Sequence, residues 1–421
     1  MAISKEIASF LESEALTRFL RYVKVHTTSQ DETGKHPSTE RQFDLAKMLE
    51  VELNELGLKK VELDEHCYLY ATLPPSSGAG GTPIGLVAHV DTSPAVSGEN
   101  VKPISRENYD GTPLKFPDDP DLQVTLEDSP QLKNFIGDDI ITASGQTLLG
   151  ADDKAGIAEI MAALAAFQKF PELKHGEIRI CFTPDEEIGM GTAKITLEKL
   201  PKYCYTMDGG EPGELEAECF DAWSATVNIK GISVHPGFAK NKMINAATVA
   251  ARFLASLPES ETPEHTELRE GFFHVTNLSG TEEEAQVKMI IRDFDRANNE
   301  RRMDHLRKLK EYFEYRHPGL KIELELKHQY ENMWVVMEKY PESVELAHKA
   351  MEEAGLAVKQ KAIRGGTDGS KLSLMGHPTP NIFAGGMLFH SRKEWIARSA
   401  LRQAAETIVN LAALWTDKKI Q

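Results

Sequence analysis

Short apolar strands alternate with longer amphipathic helices through the first half of the chain, and this alternation restricts the fold more than any other feature of the sequence. In chain order the pattern predicts a helix at 39–57, strands at 68–73 and 84–90, a helix at 154–170, and strands at 178–183 and 203–207. Strands separated by helices of roughly 10 to 20 residues indicate an open α/β sheet. In such sheets, functional sites form just beyond the carboxyl ends of the strands.

The two N-terminal helices carry further signals. Apolar residues recur at helical spacing from Ala15 to Val23, which predicts an amphipathic helix packed on the body of the protein. Thr39 and Gln42 match a capping box at the start of the next helix, and Gly57 is expected to end that helix.

From about residue 214 the pattern changes to the order strand, helix, strand, strand, helix, strand. The first of these strands, at 222–230, alternates between apolar and polar residues, so we expect it to be half buried. The βαββαβ order predicts a ferredoxin-like domain, and α/β character resumes after it. The sequence therefore predicts a main domain of residues 1–213 and 328–421 with an inserted domain of residues 214–327.

Composition excludes several classes of function. The chain has 421 residues, 41% hydrophobic and 27% charged, which is typical of a soluble protein with two domains. Its 48 basic and 65 acidic residues give a formal net charge of −17, which opposes binding to nucleic acid or to an anionic membrane surface. No stretch approaches the roughly 18 apolar residues of a membrane span. Because Glu6, Glu12 and Glu14 also interrupt any secretory signal, we expect a cytoplasmic protein.

The cysteine pattern is consistent with that compartment. The four cysteines, Cys67, Cys181, Cys204 and Cys219, form no C-x-x-C pair, and three of them lie in apolar, strand-like segments. We expect reduced, buried thiols. A cysteine nucleophile has no support in the sequence.

Histidines and acids follow the predicted strands of the α/β half. They are His89 and Asp91 in HVDTSP, Asp152 and Asp153 in LLGADDKAG, Asp185, Glu186 and Glu187 in TPDEE, Asp208 in MDGGE, and His390 in FHSRKEW. A single acid of this kind is more often a turn or helix-cap residue. All five segments could nevertheless meet at one edge of a single sheet, and this joint placement favours a common site.

The residue types in these segments indicate a metal site. Imidazole and carboxylate groups together suit zinc, and also manganese or cobalt. No thiolate belongs to the set, which argues against a structural zinc site. Two histidines with several carboxylates are enough for two metal ions that share a bridging carboxylate. Asp91 follows His89 by two residues, on the same face of the strand, where it could orient the imidazole.

At these residues the chain resembles the tripeptide aminopeptidases of the di-zinc exopeptidase superfamily, which also includes carboxypeptidase G and the aminoacylases. The motifs that carry the resemblance are HVDTSP, LLGADDKAGIAEIM, FTPDEEIGMG, DGGEPGELE, VHPGFAK, IIRDFDR and RGGTDGSKLS. The similarity runs from the first helix to the last, and GADDKAG together with TPDEE is highly specific. It implies a mixed-sheet zinc-exopeptidase catalytic domain, with the inserted ferredoxin-like domain as its lid.

The resemblance implies which residues would hold two zinc ions. His89 and Asp208 would hold one ion, Glu187 and His390 the other, and Asp152 would bridge them. Mn²⁺ or Co²⁺ could substitute for Zn²⁺. One departure concerns His390, which stands in FHSRKEW rather than in the family's usual tyrosine-histidine-glycine pattern, so the rim of the site could differ.

The resemblance also implies roles for Asp91 and Glu186. Asp91 would orient His89, and Glu186 would be the general base that takes a proton from a zinc-bridging water. The resulting hydroxide would attack the first peptide carbonyl of a tripeptide and release its N-terminal residue. Asp185, next to them in the chain, receives no role beyond that of a solvated or turn residue.

In the inserted domain, three residues resemble substrate-binding positions of the family. His235 of VHPG matches the residue that swings over the site, and Arg292 and Arg364 match positions near the substrate carboxylate. A structural salt bridge is the alternative for each arginine. The expected partners are short peptides with a free N-terminus. A homodimer through the lid is also consistent with the resemblance, although strand 222–230 could equally pack on its own helices.

Two other functions stay open. The same metal site could serve a dipeptidase or an N-acyl amino acid deacylase, because specificity depends on the shape of the pocket. A non-catalytic metal-binding protein is the third alternative, and the presence of Glu186 argues against it.

The segment from about Ser93 to Gly150 is harder to assign. It is rich in proline, aspartate and glycine, and it predicts a long irregular excursion. We expect that excursion to end in a hairpin at residues 138–150.

Overall fold

The structure is a computed structural model that describes residues 3–416, 418 and 420. Its helices are α1 (Lys5–Tyr22), α2 (Gln42–Glu55), α3 (Ala151–Lys169), α4 (Ala246–Leu254), α5 (Arg296–Arg316), α6 (Trp334–Met337), α7 (Pro341–Glu353), α8 (Asp368–Leu374) and α9 (Arg398–Thr416). None of the helices in the described range is both long enough and apolar enough to cross a membrane.

The strands are short and are distributed over several sheets. They are β1 (Lys59–Leu63), β2 (Leu69–Leu73), β3 (Ile84–His89), β4 (Ile104–Arg106), β5 (Leu114–Phe116), β6 (Asp119–Val124), β7 (Ile140–Thr142), β8 (Ile178–Thr183), β9 (Tyr203–Gly209), β10 (Glu214–Cys219), β11 (Asp221–Lys230), β12 (Phe272–Gly280), β13 (Glu284–Asp293), β14 (Lys321–Tyr330), β15 (Lys359–Ile363), β16 (Asn381–Phe383), β17 (Gly386–Met387) and β18 (Trp395–Ala397).

The main sheet has eight strands in the order β1-β2-β8-β3-β9-β16-β10-β15. At its centre β8, β3, β9 and β16 run parallel, whereas β2 and β10 pair with this group in the antiparallel direction. The predicted α/β class with a mixed sheet is therefore confirmed. All six residues of β3 are buried, as expected for a strand that is covered on both faces.

Helix α3 packs closely on the central strands, because most of its residues are small or apolar and buried. Gly156 permits the closest approach, since a Cβ atom there would lie 2.0 Å from the carbonyl oxygen of Met207 in β9. Any side chain at this position would push the start of α3 away from the end of β9. The glycine thus keeps the acids of these two elements near one another.

The chain divides into two compact units. Unit 1 comprises the residues up to 217 together with 336–361 and those from 367 onward, and unit 2 comprises 218–335 and 362–366. In unit 2 the elements β11, α4, β12, β13, α5 and β14 follow in that order, and the strands form an antiparallel sheet ordered β12-β13-β11-β14. This order agrees with the βαββαβ pattern of the sequence. The role of unit 2 as a lid stays a prediction.

The core of unit 2 follows from the alternation of β11. Its residues Ala225, Val227 and Ile229 are buried against apolar side chains of α4 and α5, whereas the residues between them are half buried. The half-buried strand expected from the sequence is therefore present.

The excursion between Ser93 and Gly150 contains regular structure that the sequence did not indicate. Strands β5 and β6 form a two-stranded hairpin, whereas β7 pairs with β4 and β18 in a separate four-stranded sheet. The hairpin predicted at 138–150 is therefore wrong. Ile140 and Ile141 are buried, and the strand that contains them pairs with β18, more than 250 residues later in the chain.

The start of α2 also differs from expectation. The N-cap residue is Arg41 and no side chain caps the helix, so the predicted capping box is wrong. The Gln42 side chain reaches another partner, because its Nε2 donates a hydrogen bond of 2.6 Å to Oδ1 of Asp185. A tertiary contact has replaced the local one.

The four cysteines are buried, reduced thiols, as expected from the sequence. All of them are buried, and none of them takes part in a disulfide. Burial raises the pKa of the Cys204 thiol to about 12, which disfavours the nucleophilic thiolate.

Candidate metal centre

Histidines and acids from five segments converge at the carboxyl edge of the main sheet. His89 is the last residue of β3, Asp208 lies near the end of β9, and the acidic triplet follows β8. Asp152 lies at the start of α3, and His390 lies in the loop between β17 and β18. Because β8, β3 and β9 are parallel neighbours, their carboxyl ends lie side by side. The structure thus brings together the predicted residues of unit 1.

Asp152 lies between two imidazoles. Its Oδ1 is 2.8 Å from Nε2 of His89, and its Oδ2 is 3.0 Å from Nε2 of His390. Burial disfavours the charged carboxylate, but the hydrogen bonds with His390 and His89 outweigh burial and lower the pKa of Asp152. One carboxylate therefore contacts both histidines, with one oxygen for each.

His390 has a second acidic partner in Glu187. Its Nε2 lies 2.9 Å from Oε2 of Glu187, whose side chain is 3% exposed. The hydrogen bonds with Asp152 and Glu187 raise the pKa of His390 to about 10. Burial in turn raises the pKa of Glu187 to about 7. His390 thus faces two carboxylates at once.

His89 is held from its other ring nitrogen. Its Nδ1 lies 3.2 Å from Oδ1 of Asp91, a fully buried carboxylate. Asp91 also accepts the backbone N–H groups of Glu186 at 3.0 Å and Glu187 at 3.2 Å. The carbonyl oxygen of Asp91 also lies 3.1 Å from His89 Nδ1. Asp91 therefore holds the imidazole of β3 through its carbonyl and its carboxylate, and the carboxylate also holds the backbone of the acidic triplet.

Two further aspartates lie near His89. Asp208 Oδ1 is 3.6 Å from His89 Nε2, and burial raises the pKa of Asp208 to about 6. Asp153 is fully buried, and its Oδ2 accepts the backbone N–H of His89 at 3.2 Å. Burial raises the pKa of Asp153 well above its ordinary value.

The three consecutive acids have three different environments. Glu187 contacts His390, as described above, and Glu186 is partly buried beside the cluster. Burial raises the pKa of Glu186 well above its ordinary value, and the neighbouring Asp208 adds to the effect. Asp185 turns away from both of them.

Asp185 is not solvated, so that part of the expectation is wrong, whereas its backbone does turn, with a left-handed φ of 57°. It is fully buried and accepts hydrogen bonds from Ser38, at 2.7 Å from the backbone N–H and 2.5 Å from the hydroxyl, as well as the one from Gln42. His36 Nδ1 lies 3.1 Å from Oδ2 of Asp185, the oxygen that also accepts the Ser38 backbone N–H. Asp185 therefore anchors the segment before α2 to the end of β8. The apolar and polar pattern of the sequence contains no signal for these contacts.

Glu394, which was not among the residues predicted from the sequence, also contacts the site. Its buried carboxylate accepts the backbone N–H groups of the four residues from Leu149 to Asp152. Its position four residues after His390 in FHSRKEW is the only sequence signal that could have drawn attention to it.

The arrangement fits divalent metal ions. Donor atoms of His89, Asp152 and Glu187 lie within 4.8 Å of one another, and so do those of His89, Asp153 and Asp208. Among the described residues, the buried Oε1 of Glu187 has no hydrogen-bond partner. Imidazole and carboxylate donors in this proportion suit zinc, manganese or cobalt. The carboxylates crowded here disfavour one another's charge, and a dication would remove that penalty.

The three predicted substrate-binding residues belong to unit 2. His235 is exposed, and its Nδ1 accepts the backbone N–H of Gly237 at 3.1 Å. Arg292 donates to the carbonyl oxygen of Trp223 and to the Gln329 side chain, both at 2.8 Å. Neither of these contacts is the salt bridge that was the alternative expectation for Arg292.

Arg364 is similarly engaged within unit 2. Its guanidinium donates to the carbonyl oxygens of Leu268 at 2.9 Å and Glu270 at 2.8 Å. It also lies over the rings of Phe220 and Phe272. These contacts are hydrogen bonds to backbone and cation–π contacts rather than a salt bridge.

Comparison with known proteins identifies the family. Residues 148–414, more than half of the chain, match the sequence profile of peptidase family M20/M25/M40. The chain is also 45% identical to peptidase T of Geobacillus thermodenitrificans (strain NG80-2) over 409 residues, which cover 97% of this chain and 100% of that protein. The chain belongs to peptidase family M20/M25/M40. The resemblance noted in the sequence is thereby confirmed, and the protein is a peptidase.

Solved structures show the same fold as this member of the M20/M25/M40 family. A tripeptidase from Staphylococcus aureus superposes with a TM-score of 0.75 at 20% identity, covering 97% of this chain and 99% of that one. Aminopeptidase PepT from Bacillus cereus gives a TM-score of 0.74 at 22% identity, with 96% and 98% covered. A dinuclear metal-binding peptidase from Bacillus subtilis gives 0.64 at 14% identity, with 97% and 99% covered.

Proposed function

We propose that this peptidase removes the N-terminal residue from tripeptides and that it uses two divalent metal ions, with zinc as the first candidate. The observation that carries the proposal is the Asp152 carboxylate, which contacts His89 with one oxygen and His390 with the other. A carboxylate in that position is suited to bridge two ions. The tripeptidase and the peptidase T among the similar proteins support the substrate class.

The proposed ligands follow the sequence resemblance. His89 and Asp208 would hold one ion, Glu187 and His390 the other, and Asp152 would serve both. Bound zinc would polarise the substrate carbonyl and make water a stronger nucleophile near neutral pH. The crowded carboxylates and the unpartnered Oε1 of Glu187 support this assignment.

Glu186 would move the proton. The residue is partly buried, and its backbone N–H donates to Asp91 of the site. By the resemblance, Glu186 is not itself a ligand. It would accept a proton from the attacking water and deliver it to the amine that leaves when the peptide bond breaks. Asp91 would keep the His89 imidazole in the orientation that leaves Nε2 facing Asp152.

His235, Arg292 and Arg364 would bind substrate. An arginine suits the C-terminal carboxylate of a short peptide, because a guanidinium offers paired N–H donors. Both arginines already donate to carbonyl or amide oxygens of unit 2, so binding would exchange those hydrogen bonds for new ones. An amidated tripeptide tests this idea. If the arginines bind the carboxylate, amidation raises KM for the wild type and has less effect on Arg364→Ala or Arg292→Ala.

The test of the whole proposal compares three substrates. Chelator-treated protein, with and without added Zn²⁺, is given a tripeptide, a dipeptide and the N-acetylated tripeptide, and released amino acids are identified. Zinc-dependent release of the N-terminal residue from the tripeptide alone is the expected result. Preference for the dipeptide would favour a dipeptidase, and preference for the acetylated peptide would favour a deacylase. Zinc binding without turnover of any substrate would contradict the proposed peptidase chemistry.

A homodimer through unit 2 and a cytoplasmic location stay predictions. Sedimentation equilibrium of the full chain would measure the first of them, and a monomer at micromolar concentration would contradict it.

A further inference from the structure

The carboxylate of Glu394 collects four consecutive backbone N–H groups. Oε2 accepts from Leu149 at 2.7 Å and Gly150 at 2.8 Å, and Oε1 accepts from Ala151 at 2.7 Å and Asp152 at 3.2 Å. The side chain is 1% exposed, so water does not share these donors. A carboxylate has about four acceptor positions. Glu394 therefore uses its full acceptor capacity on one short segment of backbone.

This segment cannot satisfy its own N–H groups. Gly150 stands at the N-cap of α3 with a left-handed φ of 85° and has no side chain to cap the helix. Asp152 and Asp153 then leave helical geometry, with ψ angles of 108° and 31°. Backbone N–H groups that are buried without a partner destabilise the fold, because they lose hydrogen bonds to water and gain none. The irregular backbone that presents Asp152 to the two imidazoles thus depends on an outside acceptor.

Glu394 is itself fixed by the sheet that follows it. The next residue, Trp395, begins β18, and β18 pairs with β7 in register from Trp395 opposite Thr142. The Trp395 ring is fully buried, and its Nε1 donates to Ser129 at 3.2 Å. Glu394 is therefore the last residue of a loop that the packed strand β18 holds in place.

The same short segment carries His390. Only three residues separate His390 from Glu394, so one loop supplies an imidazole to Asp152 Oδ2 and an acceptor to the Asp152 backbone. This loop therefore holds both Oδ2 and the backbone N–H of Asp152, whereas Oδ1 of Asp152 contacts His89 on β3. The spacing between the two histidines across Asp152 thus depends on where Glu394 places the backbone.

We propose that Glu394 is a positioning residue, which holds the backbone at Asp152 so that its carboxylate can serve two metal ions. The proposal rests on the metal site of the proposed function, but it concerns metal affinity rather than the choice of peptide. Removing a group that orients metal ligands typically weakens metal binding by roughly 10- to 100-fold. We expect loss of the Glu394 carboxylate to weaken metal binding within that range.

The test uses Glu394→Gln, Glu394→Asp and the control Glu406→Gln. Glutamine places an NH₂ group against two backbone N–H groups, whereas aspartate keeps both acceptor oxygens on a shorter side chain. Glu406 is also a little-exposed glutamate of unit 1, but it pairs with Arg402 on the same helix. Zn²⁺ is titrated into each chelator-treated protein by calorimetry, and thermal unfolding of the metal-free proteins is recorded alongside.

We expect Glu394→Gln to bind Zn²⁺ roughly 10- to 100-fold more weakly than the wild type. Glu394→Asp should lose less, and Glu406→Gln should keep wild-type affinity. A wild-type isotherm for Glu394→Gln would overturn the proposal, and so would an equal loss in Glu406→Gln. If Glu394→Gln does not unfold cooperatively, Glu394→Asp decides, because wild-type affinity in that variant would also overturn it.

Failure of this proposal can be told apart from failure of the proposed function. Zinc binding is measured without peptide, so a wild type that binds two zinc ions but cleaves no tripeptide contradicts only the substrate assignment. A wild type that cleaves tripeptides, beside a Glu394→Gln variant with unchanged zinc affinity, contradicts only the role of Glu394.

Discussion

His89 and Asp91 face each other across 3.2 Å at the end of β3, and both are buried. This contact and the Asp91 carbonyl oxygen, 3.1 Å away, occupy Nδ1 of the imidazole and leave Nε2 directed at Asp152. Because Asp91 also accepts two backbone N–H groups from the acidic triplet, the pair links β3 with the segment after β8.

Replacement of Asp91 by asparagine should weaken metal binding without removing a ligand. The amide keeps the shape of the side chain, and the backbone carbonyl still contacts Nδ1, but the negative charge beside the His89 ring is lost. We therefore expect Zn²⁺ affinity to fall roughly 10- to 100-fold. Calorimetric titration of chelator-treated protein measures this. Asp64→Asn is the control, because Asp64 also accepts backbone N–H groups in a turn but belongs to neither group of candidate metal-binding residues. An unchanged affinity in Asp91→Asn would contradict the orienting role.

Substitution of Glu186 and substitution of its neighbour Glu187 should have different effects. Glu186→Gln should lower kcat by roughly 100- to 10,000-fold, as for loss of a general base, and leave bound zinc near two per chain. Glu187→Gln should lower the zinc content, because its carboxylate contacts His390. Zinc content by elemental analysis and tripeptide hydrolysis separate the two effects. Zinc loss in Glu186→Gln, with normal zinc in Glu187→Gln, would reverse the assignment.

Asp185 should matter for stability rather than for catalysis. Asp185→Ala leaves the Ser38 N–H and the Gln42 amide without their buried acceptor, so we expect the free energy of unfolding to fall by about 1–3 kcal/mol. Urea unfolding of the metal-free protein measures the change. Zinc content near that of the wild type is expected at temperatures where the variant is folded. A stable variant that has lost zinc would place Asp185 in the metal site instead.

Glu216 in β10 should make stability depend on pH. Burial raises its pKa to about 8 in the folded protein, and its Oε2 accepts from Asn381 at 2.7 Å. An acid whose pKa is raised on folding stabilises the folded protein fully at pH values below the ordinary pKa of that acid. For Glu216 this stabilisation is lost as the pH rises through about 8. Glu216→Gln stays neutral, so the stability of this variant relative to the wild type should rise between pH 5 and pH 9.

The control for this prediction is Glu211→Gln, measured by urea unfolding of metal-free protein at the same pH values. Burial opposes the charge of Glu211, but Lys359 and Lys361 outweigh it and lower its pKa. The stabilisation that Glu211 provides is therefore present at pH values above the ordinary pKa of a glutamate and is lost only as the pH falls below that pKa. The free energy of unfolding of Glu211→Gln should differ from that of the wild type by a constant amount from pH 5 to pH 9. A difference that is also constant for Glu216→Gln would contradict the prediction.

Much of the fold and of the candidate site could be predicted because the signals are local. Strand and helix periodicity reports which face of a segment is buried, and parallel strands necessarily bring their carboxyl ends to one edge. His89, Asp208 and the triplet after β8 could therefore be expected near one another. The prediction of a hairpin at 138–150 was wrong because β7 pairs with β4 and β18, and no local sequence pattern encodes that pairing.

By itself the sequence determined the alternating α/β pattern, the βαββαβ insertion and the residue types that gather at one sheet edge, since each depends on neighbours along the chain. Only the tertiary structure decided the partners of Asp185 and Glu394. Asp185 meets Ser38 across 147 residues, and Glu394 meets Leu149 across 245. A buried carboxylate must find donors wherever the packed chain places them, and that placement exists only after the sheet and α3 have come together.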